Sequence, residues 1–149
     1  MSEYDAETQV FLDEFFSRQV VAERAIHDGD PRPRKALWSR RDPVTLLGAS
    51  IAQRQGWEQL DVDFDTVASW FADCTSYDVD LLAAGASGDL AYTVTLEHTS
   101  CSVQGEPRSY VLRATHVYRR EDGEWRIVHR HADAPPQPPD DATEVGGPT

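Results

Sequence analysis

The chain has 149 residues, the usual size of a single domain, and a domain of that length buries about two-thirds of its unfolded surface. Its 26 acidic and 14 basic residues give a net charge of −12, which repels nucleic-acid phosphates and anionic membrane surfaces. Apolar residues make up 40% of the chain, and no apolar run approaches the roughly 20 residues of a membrane span. We therefore expect one soluble globular domain that binds neither nucleic acid nor membrane.

The ends of the chain and its two cysteines set the expected boundaries and compartment. Residues 1–5 are acidic and lack the basic-then-apolar order of a secretory signal, so we expect a cytoplasmic protein. Cys74 and Cys101 form no Cys-x-x-Cys pair, and we expect both to be reduced packing residues. The Pro-rich, acidic composition after residue 133 predicts a domain over 1–133 and a disordered tail over 134–149.

Helical periodicity dominates the first half of the chain. Apolar residues recur at helical spacing from Asp5 to His27, which predicts a long amphipathic helix that ends before Gly29 and the prolines after it. Further patterns predict a short helix over 34–38, a short strand over 44–48 and a helix from residue 55 or 57 to residue 72.

After Cys74 the apolar residues alternate with a period of two, which is typical of strands. The predicted strands span residues 77–83, 90–97, 109–119 and 124–131. In the second of them Tyr92 and Val94 belong to an apolar set, and we expect Val94 to face inward. Helices followed by consecutive strands indicate an α+β domain with an antiparallel sheet.

Four short motifs in this half resemble a known family. They are Leu90-Ala91-Tyr92, Thr115-His116-Val117-Tyr118-Arg119-Arg120, Asp122-Gly123-Glu124-Trp125 and Val128-His129-Arg130-His131. These motifs are similar to the C-terminal half of SnoaL-like domains, within the nuclear transport factor 2-like superfamily that includes ketosteroid isomerase. They are also similar to the association domain of calcium/calmodulin-dependent protein kinase II. The resemblance implies a cone-shaped fold with N-terminal helices on a strongly bent sheet, a deep cavity open at one end, and a homodimer.

The turn at Asp122-Gly123 leaves two registers open for the last hairpin. A two-residue type I′ loop would place His116 opposite His129 and bring both histidines of the last strand onto its face. A three-residue loop with a glycine bulge would shift the pairing by one residue and place Arg130 on that face instead. Apolar alternation favours the first register and the kinase resemblance favours the second, which we prefer.

His116 is the first candidate for a catalytic side chain. Strand parity with Ala114 and Tyr118 places it inside an otherwise apolar wall, where an imidazole could act as general acid or base. The resemblance to the kinase domain adds that an arginine stands at this position there. The alternative is a structural histidine that bonds to a backbone carbonyl or a tyrosine hydroxyl.

Other side chains are candidates for the pocket. The predicted pocket residues are Trp38, Trp70, Tyr92, Val94, Tyr118 and Arg130, and the secondary candidates are Arg113, His129 and His131. His129 and His131 could ligate zinc or iron together with Asp133, but we favour packing roles and predict neither a metal nor a cofactor. Arg113 could bind a carboxylate or enolate, or could pair with an acidic residue across the strands.

The predicted function is that of a small-molecule pocket protein. We expect a hydrophobic or carbonyl-containing ligand and, if the protein is an enzyme, cofactor-free acid/base chemistry of the isomerase, dehydratase or cyclase type. The alternative is a non-catalytic ligand-binding or oligomerisation module like the kinase association domain. Ketosteroid isomerisation is not supported, because Phe11, Phe15 and Phe16 occupy the helix that carries a catalytic tyrosine in that branch.

Overall fold

A computed structural model describes residues 3–136, so most of the predicted tail, residues 137–149, lies outside the described residues. Its helical segments are α1 (Ala6–Phe11), a π-helical turn (Leu12–Phe16), α2 (Ser17–Ile26), α3 (Arg32–Leu37) and α4 (Trp57–Ser69). Its strands are β1 (Thr45–Leu47), β2 (Arg54–Gln55), β3 (Phe71–Ser87), β4 (Leu90–Val103), β5 (Glu106–Glu121) and β6 (Glu124–Asp133). Within the described residues they form a six-stranded sheet of order β2-β1-β6-β5-β4-β3. The predicted α+β class is confirmed.

The first helix follows the predicted pattern. The carboxylate of Asp5 caps its start by accepting a bond from the backbone N–H of Thr8 at 2.8 Å. Gly29, at φ 90°, lies just beyond its end, where a left-handed conformation lets the chain turn away. The predicted stripe is buried, with Phe11 and Ile26 fully inaccessible. The π-helical turn between α1 and α2 is the one departure from a regular helix in this stretch.

The sheet is longer and more irregular than the sequence predicts. β1 is parallel to β6, whereas the β1–β2, β3–β4, β4–β5 and β5–β6 pairings are antiparallel. The two-residue strand β2 is not visible in the sequence pattern. Two register shifts interrupt β3, one between Ala72 and Ser76 and one between Leu81 and Ala83. Because such bulges bend a strand, they help the sheet to curl around the helices.

The two faces of β4 are the reverse of the prediction. Thr93, Thr95 and Glu97 are buried on the side of the helices, whereas Leu90 is 58% and Tyr92 45% exposed. Alternation shows which residues share a face but not which face is covered. The polar set can lie inside because it finds partners there: the hydroxyl of Thr93, for example, bonds to that of Tyr118 at 2.8 Å. The predicted inward position of Val94 is therefore wrong.

The last hairpin combines both predicted registers. Asp122 and Gly123 adopt φ values of 52° and 82° in a two-residue turn, and Tyr118 pairs with Ile127 as the first register predicts. A register shift then leaves Val128 unpaired, and His116 pairs with Arg130. The bulge therefore lies inside β6. Beyond the bulge Arg130 shares the inner face with His116, and this is the placement of Arg130 that the second register predicts.

The core fills the space between the first helix and the sheet. The rings of Phe11 and Tyr118 meet edge to face at 4.8 Å, and Trp125 packs against Phe11 at 5.0 Å. Cys74 and Cys101 are free and buried, as predicted. Within the described part of the chain, no helix combines the length and apolar character that a membrane crossing needs.

Candidate functional site

A cavity of about 500 Å³ lies between the helices and the inner face of the sheet. Much of its lining is apolar, from side chains of β1, α4 and the strands, including Leu46, Val67, Leu112 and Ala132. The loop after β1, residues 48–51, closes part of one wall. A volume of this size is typical of a site for a small organic molecule.

Two buried ion pairs border the cavity. Both oxygens of the Glu23 carboxylate accept bonds from Arg34, and Arg130 donates to both oxygens of Glu97 at 2.7 and 2.8 Å. Both arginines are among the residues that line the cavity, whereas neither glutamate is. Burial raises the pKa of Glu23, but Arg34 and Arg130 outweigh it and lower that pKa to about 2. The pairs are therefore ionised across the physiological range.

His27 is a titratable side chain of the cavity that the sequence analysis missed. It lines the cavity directly after α2, and its ring packs between two aromatic rings, tilted against Phe71 at 4.6 Å and stacked on Tyr77 at 5.6 Å. Its Nδ1–H donates to the backbone carbonyl of Glu23 at 2.7 Å, so Nε2 carries the lone pair. Burial lowers the pKa of His27 below its usual range. The ring is therefore neutral near pH 7, and its Nε2 makes no side-chain hydrogen bond within residues 3–136.

His116 lies behind the cavity and does not line it. It is 1% exposed, and its ring nitrogens lie 3.5 Å from the Gln19 amide and 3.4 Å from Nη1 of Arg130. Because a guanidinium can only donate, Nε2 of His116 is the acceptor. Burial and the neighbouring Arg130 lower the pKa of His116 to about 3. The predicted apolar wall is corrected, because this side of the sheet carries a polar network that holds His116 neutral.

Four of the predicted pocket residues divide between the cavity and the core. Trp70 and Arg130 line the cavity. Trp38 and Tyr118 do not, because each is fully buried among aromatic side chains of the core. Tyr118 instead donates through its hydroxyl to the side chain of Gln19. The predicted pocket positions of Trp38 and Tyr118 are therefore corrected.

The remaining predicted site residues lie on the outer face of the sheet. Tyr92 and Val94 are there, so neither lines the cavity. His129 bonds to the hydroxyl of Thr45 at 2.7 Å, and His131 is exposed. Within residues 3–136 no group of three or more His, Cys, Asp or Glu side chains lies close enough to share a metal ion.

Arg113 also lies on the outer face, where its guanidinium is half exposed. It forms a two-bond ion pair with Asp133 at 2.8 and 2.9 Å, which is the cross-strand pairing that one reading of the sequence indicates. A metal site with His129 and His131 would have required the carboxylate of Asp133, and that carboxylate is bound by Arg113.

The sequence contains one signal that points to the missed network. Glu23 lies on the apolar stripe of the first helix, between Ala22 and Ile26, and His27 follows it by one helical turn. A charged residue on a buried stripe requires a partner, so this position predicts a buried ion pair. The partner, Arg34, comes from the next helix and cannot be identified by periodicity.

Comparisons with known proteins agree with this architecture. Residues 22–136 match the family model described as a SnoaL-like domain. A candidate dehydratase of the NTF2-like family from Streptomyces avermitilis is 16% identical and has a TM-score of 0.70, with 85% of this chain and 97% of that chain covered. A candidate calcium/calmodulin-dependent protein kinase II association domain from Thiobacillus denitrificans is 20% identical and has a TM-score of 0.65, with 91% and 100% covered.

A third solved structure belongs to another branch of the same fold. It is a candidate ketosteroid isomerase from Parabacteroides distasonis, 18% identical with a TM-score of 0.60, and 80% of this chain and 83% of that chain are covered. At such identities the likeness concerns the fold alone. No curated protein sequence matches the chain. Because the family model covers most of its length, the chain belongs to the SnoaL-like family.

Proposed function

We propose that the protein binds a small, mostly apolar carbonyl compound in the cavity and moves a proton at the carbon beside the carbonyl, with His27 as the base. The observation that carries the proposal is the position of a neutral, buried imidazole on the wall of a largely apolar cavity. A base in such a place can reach the ligand while the surrounding aromatic rings exclude water.

The two guanidinium groups complement this base. Removal of a proton beside a carbonyl places negative charge on the carbonyl oxygen, and N–H donors aimed at that oxygen stabilise it. Arg34 and Arg130 line the same cavity as His27. Isomerisation, dehydration and aldol-type cyclisation all include such a step. The names of two structural neighbours, a candidate dehydratase and a candidate ketosteroid isomerase, agree with this class.

In this proposal the catalytic role moves from His116 to His27. His116 lies behind Arg130 and touches no part of the cavity, so it acts as a positioning residue for the guanidinium. Its neutral ring accepts from Nη1 and adds no second positive charge beside Arg130.

Deuterium exchange tests the proposed chemistry. We would incubate the protein with 2-tetralone, a cyclic aromatic ketone, in heavy water and follow the loss of its α-proton signals by NMR. His27→Phe keeps an aromatic ring against Phe71 and removes the base, so the exchange rate should fall about 100-fold or more. For the unaltered protein the exchange rate should rise with pH as His27 loses its proton and should then become constant. Because burial lowers the pKa of His27, the constant rate should already be reached at a pH below 6.5.

Two further variants control the exchange experiment. Val67→Trp fills the cavity and should also abolish exchange. His131→Gln removes an exposed imidazole on the outer face and should leave the rate unchanged. Exchange at the original rate in His27→Phe would refute the role of His27, and exchange that survives Val67→Trp would refute the cavity as the site.

The outer face of the sheet supports a second proposal, that the protein forms a homodimer through this face. Leu82, Leu90 and Tyr92 are between 45% and 58% exposed on it, and a group of apolar side chains on one face is typical of a protein–protein interface. A double substitution of Leu90 and Tyr92 by Glu should halve the mass measured by analytical ultracentrifugation. Val21→Glu, at an exposed apolar position on α2, should not change it. A monomeric unaltered protein would contradict the proposal.

The free state of both cysteines supports a reducing compartment, and the cytoplasm is the proposed location.

A further inference from the structure

Arg108 is a cationic side chain at the rim of the cavity. It lies near the start of β5, two residues before Tyr110 and four before Leu112, and all three residues line the cavity. Positions two apart on a strand share a face, and Arg108 has the parity of Ala114 and His116, which are buried on the inner face, so it projects from that face. Unlike Arg34 and Arg130, it is exposed. The cavity therefore has a charged group where it meets solvent.

Arg108 differs from the other basic residues in having no partner. Within residues 3–136, the side chain of every other Lys or Arg makes a hydrogen bond, an ion pair or a contact with an aromatic ring. Arg108 makes none of these contacts. Acidic residues outnumber basic ones by 26 to 14, so a shortage of carboxylates does not account for this. An uncommitted guanidinium beside an apolar cavity is suited to an anionic group on the ligand.

The other cations of the cavity cannot serve this purpose as readily. Arg34 and Arg130 are each engaged by a carboxylate of the protein through two bonds. A ligand carboxylate placed beside them would compete with Glu23 or Glu97 and would keep a full third negative charge in a buried site, whereas an enolate oxygen carries its charge only during the reaction step. The free positive charge is the one at the rim.

We propose that the ligand is an oxo acid whose carboxylate pairs with Arg108 at the rim while its apolar body and carbonyl group extend into the cavity. This inference rests on the proposed function and deepens it by naming the chemical class of the ligand. Arg108 acts as a specificity-determining residue that orients the ligand with its neutral end toward His27. A guanidinium holds a carboxylate in this way by two parallel N–H bonds.

A matched pair of ketones tests the inference. Butyrophenone is neutral, and 3-benzoylpropionate has the same phenyl ketone with a carboxylate at the end of its chain. Their dissociation constants would be measured by isothermal titration calorimetry at low salt for the unaltered protein, Arg108→Gln and Arg113→Gln. Arg113 is a matched control because it lies on the same strand but on the outer face, paired with Asp133.

We expect the unaltered protein to bind 3-benzoylpropionate about fivefold more tightly than butyrophenone, the advantage of a partly exposed ion pair. Arg108→Gln should remove that preference without changing the affinity for butyrophenone, and Arg113→Gln should preserve it. Equal affinity for the two ketones, or a preference that survives Arg108→Gln, would overturn the inference while leaving the cavity as a ketone site. If neither ketone binds, or if Val67→Trp leaves butyrophenone binding unchanged, the proposed function fails together with the inference.

Discussion

Replacement of His116 by Gln should change how the stability of the protein depends on pH. The imidazole is buried between the Gln19 amide and Arg130, with Glu97, Glu23 and Arg34 as the nearest other charges. Burial and Arg130 lower its pKa from 6.5 to about 3, so the folded state holds this ring neutral while an unfolded chain would protonate it. Glutamine is neutral at every pH, so the substitution removes this titration.

The sign and size of the effect follow from the two pKa values. Between pH 6.5 and about 3 the unfolded state binds a proton at residue 116 that the folded state does not, so the free energy of unfolding falls as the pH falls. From pH 7 to pH 5 this group alone costs the unaltered protein about 2 kcal/mol. Burial lowers the pKa of His27 as well, which adds a loss of the same sign in both proteins. The difference between the two proteins therefore isolates His116.

Urea denaturation followed by tryptophan fluorescence would measure the effect at pH 7 and pH 5. Precipitation would interfere at the isoelectric point of 4.6, and both pH values lie above it. His116→Gln should lose about 2 kcal/mol less than the unaltered protein between the two pH values, and the control His131→Gln should behave like the unaltered protein. If the two stability profiles run parallel, His116 is not held neutral, and the account of the buried network is wrong.

Two further substitutions test the fold around the site by the same urea assay. Glu97→Gln should cost about 3 kcal/mol because it removes the two-bond partner of the buried Arg130 and leaves Glu23, 3.7 Å away, as its remaining ionic partner, and adding Arg130→Met should restore much of the loss; a loss below about 1 kcal/mol would contradict the burial of the pair. Gly123→Ala should cost about 1 kcal/mol because the type I′ turn holds residue 123 at φ 82°, and an unchanged stability would show that the turn has another conformation.

The first helix illustrates how far periodicity alone can lead. The buried positions Phe11, Phe15, Ala22 and Ile26 are those that the apolar spacing predicts, and Gly29 lies just past the end of the helix. These features depend on the geometry of a single helix and on the fact that one of its faces packs against a core. They do not depend on which elements form that core. The α+β class follows in the same way from the order of helical and alternating segments.

The hairpin and β4 show where local patterns are insufficient. The type I′ turn is local and was among the predicted alternatives, but the unpaired residue Val128 lies several positions away. That bulge determines that Arg130, and not His129, shares the inner face with His116. The inner face of β4 carries Glu97 because Arg130 is there to pair with it. Neither strand alone contains that information.

The sequence by itself determined the class of the fold, the helical stripe, the alternation of the strands and the net negative charge, because each depends on residues near one another in the chain or on composition. Only the tertiary structure decided which face of β4 is covered, and it alone brought His27, Arg34, Arg108 and Arg130 to one cavity. These four side chains come from separate parts of the chain. Their grouping depends on long-range pairing, in which a buried charge is tolerated only beside a partner that the fold supplies.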